Sequence, residues 1–319
     1  MQLDPTAVEA GVSLEALATI GSTNEEAAAR SRKGERGPLW VTAQAQTKGR
    51  GRLGRSWNSP PGNLYASLLL SDPSPIEHAP ELAFVAALAV RDAIIAEAPA
   101  LAPHLGFKWP NDLLLADEKC AGILIEGEVW PGKSVSVVIG IGVNCAHHPP
   151  MATDYAADGA KSARPRSAPF GEYAVLFPAT DLRAHGAAVT PEQLFTRLSA
   201  TMLARITQWD SGRGFTAILG NWLTSARGLG EDIRVRQGGT DKTGRFVGLD
   251  QMGRLVLEQT GGGVEKISAG DVFPFARRSG WKVPQCGASH HWPDGSATGP
   301  AGSGRRSRRA ACRASRARR

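Results

Sequence analysis

Hydrophobic positions along the chain fall into runs of different period, and the period predicts the element in each run. Residues 39–44 and 64–70 are β-rich runs of strand length, and 107–109 is a third, stopped by Pro110, which has no N–H to give a ladder. Short runs at 113–115, 120–126 and 135–141, separated by turn residues, predict a meander within a mixed sheet. Residues 81–97 repeat with helical spacing instead, placing Leu82, Val85, Ala86, Ala89 and Ala93 on one face. Helices are also predicted over 191–209 and 215–226, the first opened by Thr190 and Pro191 as N-cap and N1. Ser22 caps a shorter helix that runs to about Ser31, with Glu25 and Glu26 in its first turn. The first twenty residues are only weakly amphipathic and predict no definite element.

Beyond Gly228 the pattern shortens. Runs at 232–236, 243–249, 255–259 and 265–268, joined by Gly-containing turns, predict a four-stranded β-barrel of about 45 residues ending near Phe275. The fold class expected is therefore α/β (α+β): a mixed-sheet domain over 1–228, then a small barrel over 229–275. Residues 147–177 are rich in Pro, Ala and Ser and predict a long loop insertion.

Charge changes the picture at one end. From Ala276 onward eleven Lys and Arg face one acid, Asp294, so this stretch carries +10 of a formal total of +7 and leaves the body at −3. The 276–319 tail is predicted to be disordered and basic, whereas the body has no excess of positive charge for nucleic acid. No apolar run reaches the roughly eighteen residues of a membrane span, and no secretory signal is expected at the N-terminus. Four cysteines without a C-x-x-C pair fit a reducing cytoplasm and argue against both a zinc site and a disulfide framework.

Candidate chemistry concentrates in QTKGRGRLGRSWNSPPGNLY, residues 46–65. Its glycines (Gly49, Gly51, Gly54) let backbone approach an anion that Arg50, Arg52 and Arg55 neutralise. Gly49-x-Gly51-x-x-Gly54 formally matches the dinucleotide fingerprint, but that motif must open a helix, and Ser56-Trp57-Asn58-Ser59-Pro60-Pro61 cannot. Four more segments are richer in polar residues and glycine than a core requires. They are Ser22-Thr23-Asn24, Lys108-Trp109-Pro110-Asn111-Asp112, Lys119-Cys120-Ala121-Gly122 running on to Glu126, and Gly140-Ile141-Gly142-Val143-Asn144. Each has an ordinary structural reading alone: a helix cap, a turn with surface charge, a hairpin lysine, small residues in a packed sheet. Their combination and order are more specific.

That combination resembles the biotin protein ligases, over roughly residues 15–275. The resemblance implies a biotin/lipoate ligase-like catalytic domain followed by an SH3-like barrel. It also implies the site. Ser22, Thr23, Asn24, Gln46, Gly49, Arg50, Arg52, Lys119 and Gly122 would bind biotin. Arg52, Arg55, Trp57, Lys108, Asn111, Asp112, Gly142 and Asn144 would hold ATP and the adenylate, with Gly140 giving space on the floor. Lys119, Arg52 and Lys108 would be catalytic, and Asp112 would be the carboxylate near Mg2+. The cofactors implied are ATP and Mg2+, with biotin as substrate, and the acceptor is a biotin carboxyl carrier domain of acetyl-CoA or a related carboxylase. Some members begin with a DNA-binding helix-turn-helix and repress transcription. Ser22 arrives too early for one here, so a cytoplasmic ligase without repressor activity is expected. Dimers occur in the family, which keeps a homodimer among the expectations. Leu53 stands where another arginine is common, and the 147–177 stretch is longer than the family pattern. Two alternatives stay open: a lipoate or octanoate ligase, which shares the fold, and nucleic-acid binding through the arginine-rich tail.

Overall fold

A computed structural model describes residues 1–132, 134–149 and 178–274. The predicted insertion lies almost wholly outside these residues, and the predicted tail entirely so. The first domain is built on a seven-stranded sheet of order β1-β2-β3-β7-β6-β5-β4. Its strands are β1 (Ser13–Ile20), β2 (Leu39–Gln46), β3 (Leu64–Ser71), β4 (Leu105–Lys108), β5 (Asp112–Leu115), β6 (Glu118–Val129) and β7 (Val135–Val143). Only the β1–β2 pair is parallel. The mixed α/β class is as expected, but β1 is an addition to the sequence reading. It is a half-exposed edge strand, and Leu17 falls out of phase with the Leu14, Ala16, Ala18 alternation that would have marked it.

Alternation of side chains divides the sheet into two faces. On one, Trp40, Leu64, Ala66, Leu68, Val137, Ile139 and Ile141 join the main core with helix α3 (Leu82–Glu97), helix α4 (Pro191–Trp209) and helix α5 (Phe215–Leu223). Helix α3 is apolar almost all round because it lies between the sheet and α4. A capping box between Thr190 and Gln193 starts α4. The opposite face carries a much smaller cluster, Ala27, Leu39, Val41, Leu69 and Val138, covered by helix α2 (Thr23–Arg32), whose N-cap is Ser22. Helix α1 (Pro5–Glu9) precedes β1. The site lies on the rest of the α2 face.

The second unit of sheet has five strands rather than four: β8 (Asp232–Gln237), β9 (Thr240–Leu249), β10 (Leu255–Glu258), β11 (Val264–Ile267) and β12 (Asp271–Pro274), in the order β11-β10-β9-β8-β12. Strand β12 is only four residues long and gains its identity by pairing with β8 across the chain, which no local pattern announces. The barrel is seated on the first domain. Trp109 Nε1 donates to the Gly253 carbonyl at 2.9 Å, and the segment leading into the barrel is held by backbone bonds from Phe107 to Ser225 and Arg227.

Candidate active site

Register builds the floor. One cross-strand row runs Asp112, Gly122, Gly142, Tyr65; the next runs Leu124, Gly140, Ser67; a third runs Glu126, Val138, Leu69. Lys119 joins this face through a bulge: Leu113 opposes Ala121 while Leu114 opposes Lys119, leaving Cys120 as the extra residue. The bulge resets the alternation, so Lys119 and Gly122, three apart, are neighbours. A Cβ on Gly122 would stand 3.3 Å from Lys119 Nζ.

The glycines of the floor make room for the protein's own side chains. A Cβ on Gly140 would lie 2.2 Å from Asn24 Oδ1, and one on Gly142 would lie 2.6 Å from the Trp57 indole. Trp57 thus covers Gly122 and Gly142, with the Lys119 ammonium 5.2 Å from its ring centroid. Trp57 Nε1 is buried with no hydrogen-bond partner among the described residues, a donor facing the cavity wall.

Over this floor the segment 46–63 folds back on itself. Trp57 N donates to Gly49 O at 2.9 Å and Gly51 N to Arg55 O at 2.7 Å, with Leu53 at the tip in the left-handed region (φ 56°). Gly49 cannot carry a side chain, since a Cβ would lie 2.4 Å from the Trp57 carbonyl oxygen. Each arginine ties the loop to a different element. Arg50 Nη2 reaches Glu126 of β6 at 3.0 Å, with Glu25 of α2 at 3.4 Å. Arg52 Nη1 donates to Asn111 Oδ1 at 2.8 Å, and Arg55 pairs with Asp271 of the barrel.

Beneath the loop, polar side chains form one hydrogen-bonded chain. Asn24 Nδ2 donates to Glu126 Oε2 at 2.8 Å, and Asn24 Oδ1 accepts from Ser67 Oγ at 2.6 Å. Ser67 Oγ lies 2.8 Å from Thr23 Oγ1. The Thr23 backbone N–H donates to Gln46 Oε1 at 2.8 Å, and Gln46 Nε2 donates to Ser59 Oγ at 3.0 Å. Ser59 Oγ then donates to the Trp57 carbonyl, inside the loop where Arg50 began the chain.

Charge is concentrated at the other end. Asp112 accepts Lys119 Nζ on Oδ1 at 2.6 Å and Lys108 Nζ on Oδ2 at 3.2 Å. Burial alone would push the Asp112 carboxyl up; the two ammoniums outweigh it and hold the group below its ordinary range. Burial lowers the Lys108 pKa, with Asp112 opposing the shift. Arg52 is lowered by burial too, yet a guanidinium stays charged. Both described cysteines are inert: burial pushes the Cys145 thiol up to about 12 and raises that of Cys120 as well, so neither supplies a thiolate.

These parts enclose a cavity of about 240 Å3 in which Arg50, Arg52, Arg55 and Lys119 face Asp112 and Asp271, an excess of positive charge suited to an anionic ligand. Ser22, Thr23, Asn24, Gln46, Trp57, Asn111, Gly122, Gly140, Gly142 and Asn144 also line it. Of the residues expected from the sequence, Gly49 and Lys108 stand behind the wall, acting through the Trp57 backbone and Asp112. Asn144 donates to the Thr180 carbonyl and holds the cavity's rim. The sequence reading missed Asp271 and Ser67. Ser67 could have been found by alternation, since it occupies a strand position where its neighbours two away face the same side. Asp271, more than two hundred residues from its partner Arg55, gave no signal.

Residues 18–144 match the model of the biotin/lipoate A/B protein ligase family, and residues 228–273 match that of the biotin protein ligase C-terminal domain. A biotin–[acetyl-CoA-carboxylase] ligase of Paracoccus denitrificans is 37% identical over 258 residues, covering 81% of this chain and 98% of its own. The chain belongs to the biotin protein ligase family. The bifunctional ligase/repressor BirA of Bacillus subtilis is 32% identical over 73% of this chain and 65% of its own length. The biotin protein ligase of Aquifex aeolicus, solved with biotin and ATP, shares the fold with a TM-score of 0.64 at 24% identity, covering 84% of this chain and 99% of that one.

Proposed function

We infer that this biotin protein ligase activates biotin with ATP as biotinyl-5′-AMP and transfers the biotinyl group to a lysine of a biotin carboxyl carrier domain. The observation that carries the reading is the cationic cavity under the 46–63 loop, in a chain similar over nearly the whole of a biotin–[acetyl-CoA-carboxylase] ligase. Ser22, Thr23 and Gln46 offer short donors and acceptors at the polar end, suited to the ureido ring of biotin. Lys119, at the other end of the floor, meets the carboxylate. Arg52, Arg55 and Asn111 serve the phosphates, Lys108 acts from behind the wall through Asp112, and Trp57 and Asn144 border the nucleotide.

In the first step a biotin carboxylate oxygen bonds to the α-phosphorus of ATP and pyrophosphate leaves. Cations that offset the repulsion between carboxylate and triphosphate also stabilise the charge developing on phosphorus. In the second, the ε-amine of the acceptor lysine attacks the mixed anhydride and AMP departs. A loop folded over the adenylate keeps water from reaching it first. Magnesium would enter with ATP, held mainly by phosphates and water, as this hard ion prefers, and Asp112 and Asp271 are the cavity carboxylates that would be available to it. Both Asp112 oxygens are taken by lysines, and no group of three or more metal-ligating side chains occurs among the described residues. The ion is therefore read as part of the co-substrate. We place the reaction in the cytoplasm, with the catalytic unit over 1–228 and the barrel over 229–275. A homodimer is the assembly to seek by sedimentation with and without biotin.

The test is exchange of labelled pyrophosphate into ATP with biotin or lipoate as parallel substrates. Exchange with biotin alone is expected; exchange with lipoate alone transfers the chain to the sister activity. Lys119→Ala should lower the biotin-dependent rate by about a hundredfold or more, the usual scale for removing a preorganised charge at a reacting centre.

A further inference from the structure

We infer that Glu126 is a positioning residue for the ligase reaction, coupling recognition of the biotin head group to closure of the 46–63 loop. The inference rests on the biotin-ligase reading of the cavity. Strand alternation puts Glu126 on the floor face with Gly122 and Leu124, two rows from the reacting end and pointing at α2. The Glu126 carboxylate is half-exposed, and its Oε2 takes two protein partners of opposite kinds: the Asn24 amide and the Arg50 guanidinium.

Donor and acceptor counting shows what the carboxylate decides. It is acceptor-only, so the Asn24 amide must present Nδ2 to it and Oδ1 to Ser67. Ser67 has a single proton, which goes to Asn24; Thr23 Oγ1, also with one proton, stands 2.8 Å from Ser67 Oγ and 3.1 Å from Gln46 Oε1. The polarity of the hydrogen bonds from Asn24 to Ser67, beside Thr23 at the head-group end, is thereby set from Glu126. An amide in its place could present either end to Asn24 and would leave that polarity undefined.

Arg50 is the other output. It lines the main cavity and also a second groove of about 590 Å3, lined by Glu25, Arg32, Glu126 and Glu128, so its side chain is the partition between the two. Released from Glu126, Arg50 would keep only its 3.4 Å contact with Glu25, and this partition is expected to loosen.

The experiment uses the full chain, with biotin-dependent pyrophosphate exchange and escape of biotinyl-5′-AMP into solution as the two readouts. Glu126→Gln, close to isosteric, should raise the KM for biotin roughly fivefold, more than it changes the saturating rate, and speed adenylate escape by a similar factor; the scale is that of a charged hydrogen bond partly screened by solvent. Glu126→Asp, which keeps the charge, should retain more adenylate than Glu126→Gln. Escape from the double variant Arg50→Met/Glu126→Gln should be no faster than from Arg50→Met alone, because both changes cut one link. Additive losses in the cycle, equal escape from the Asp and Gln variants, or a Glu126→Gln protein that matches wild type would each overturn the inference. Absence of biotin-dependent exchange in the wild type would instead overturn the reading of the site on which it rests.

Discussion

The floor of the cavity and the loop above it meet the same ligand space but are held by different forces. Floor residues sit at alternate positions of strands whose other face is buried in the main core, so each is fixed by ladder register and by apolar packing on its neighbours. The loop has almost no apolar anchor apart from Trp57. It hangs on three arginines, each tied to a different element, and on the polar chain that ends at the Trp57 carbonyl. A rigid floor can preset the position of Lys119 against a reacting centre. A loop held by two half-exposed ion pairs and the Arg52–Asn111 hydrogen bond can let substrates in and close again, because each tether contributes little.

Three substitutions test that contrast, in falling order of effect. Asp112→Asn strikes the floor hardest, since it leaves the buried Lys108 ammonium and the part-exposed Lys119 ammonium without their shared anion; a loss of about 3 kcal/mol is expected in urea unfolding. The same variant carries a pH signature. The native carboxyl titrates below its unfolded value of 3.8, so its contribution is complete above that pH and is lost as pH falls through the lower, folded value. Wild-type stability should fall with acid in that window, and this part of the fall should vanish in Asp112→Asn. An unchanged acid profile would mean that the two lysines do not depend on Asp112 in the folded state.

Gly140→Ala comes next. Its new Cβ would stand 2.2 Å from Asn24 Oδ1, forcing α2 or the amide away at about 1–3 kcal/mol, with a raised KM for biotin. Near-neutral stability and an unaltered KM would show that α2 yields freely, and that the floor is softer than its register suggests.

Arg55→Gln should cost least. The Arg55–Asp271 pair is well exposed on the arginine side, so thermal stability should fall by less than about 1 kcal/mol. Its effect should appear in the retention of biotinyl-5′-AMP, as a rise in escape of at most about fivefold. A large drop in melting temperature would mean that the pair anchors the barrel rather than the loop.

Much of the site was legible before the structure, for a specific reason. Ser22 as a helix cap, Pro110 ending a strand, the glycine alternation in Val135–Val143 and the arginine–glycine loop are local devices whose chemistry is written within a few residues. The strands that were missed, β1 and β12, are those stabilised mainly by pairing with distant segments. The bulge at Cys120 was also invisible. Alternation alone would have turned Lys119 away from Gly122, and only the strand pairing shows the extra residue that turns it back.

What the sequence by itself determined was the kind of chemistry: cations and glycines grouped for an anionic ligand, and a mixed sheet with a small barrel to carry them. Tertiary structure alone decided which of those residues touch. It turned Gly140 and Gly142 from open floor into sockets for Asn24 and Trp57, and it set Lys108 behind Asp112. It also brought Asp271 from the barrel to Arg55 and made Glu126 the meeting point of two segments. The physical reason is range. Caps, turns and side-chain period act over a few neighbouring residues, whereas an ion pair or a close backbone approach depends on strands aligned in register across the whole sheet.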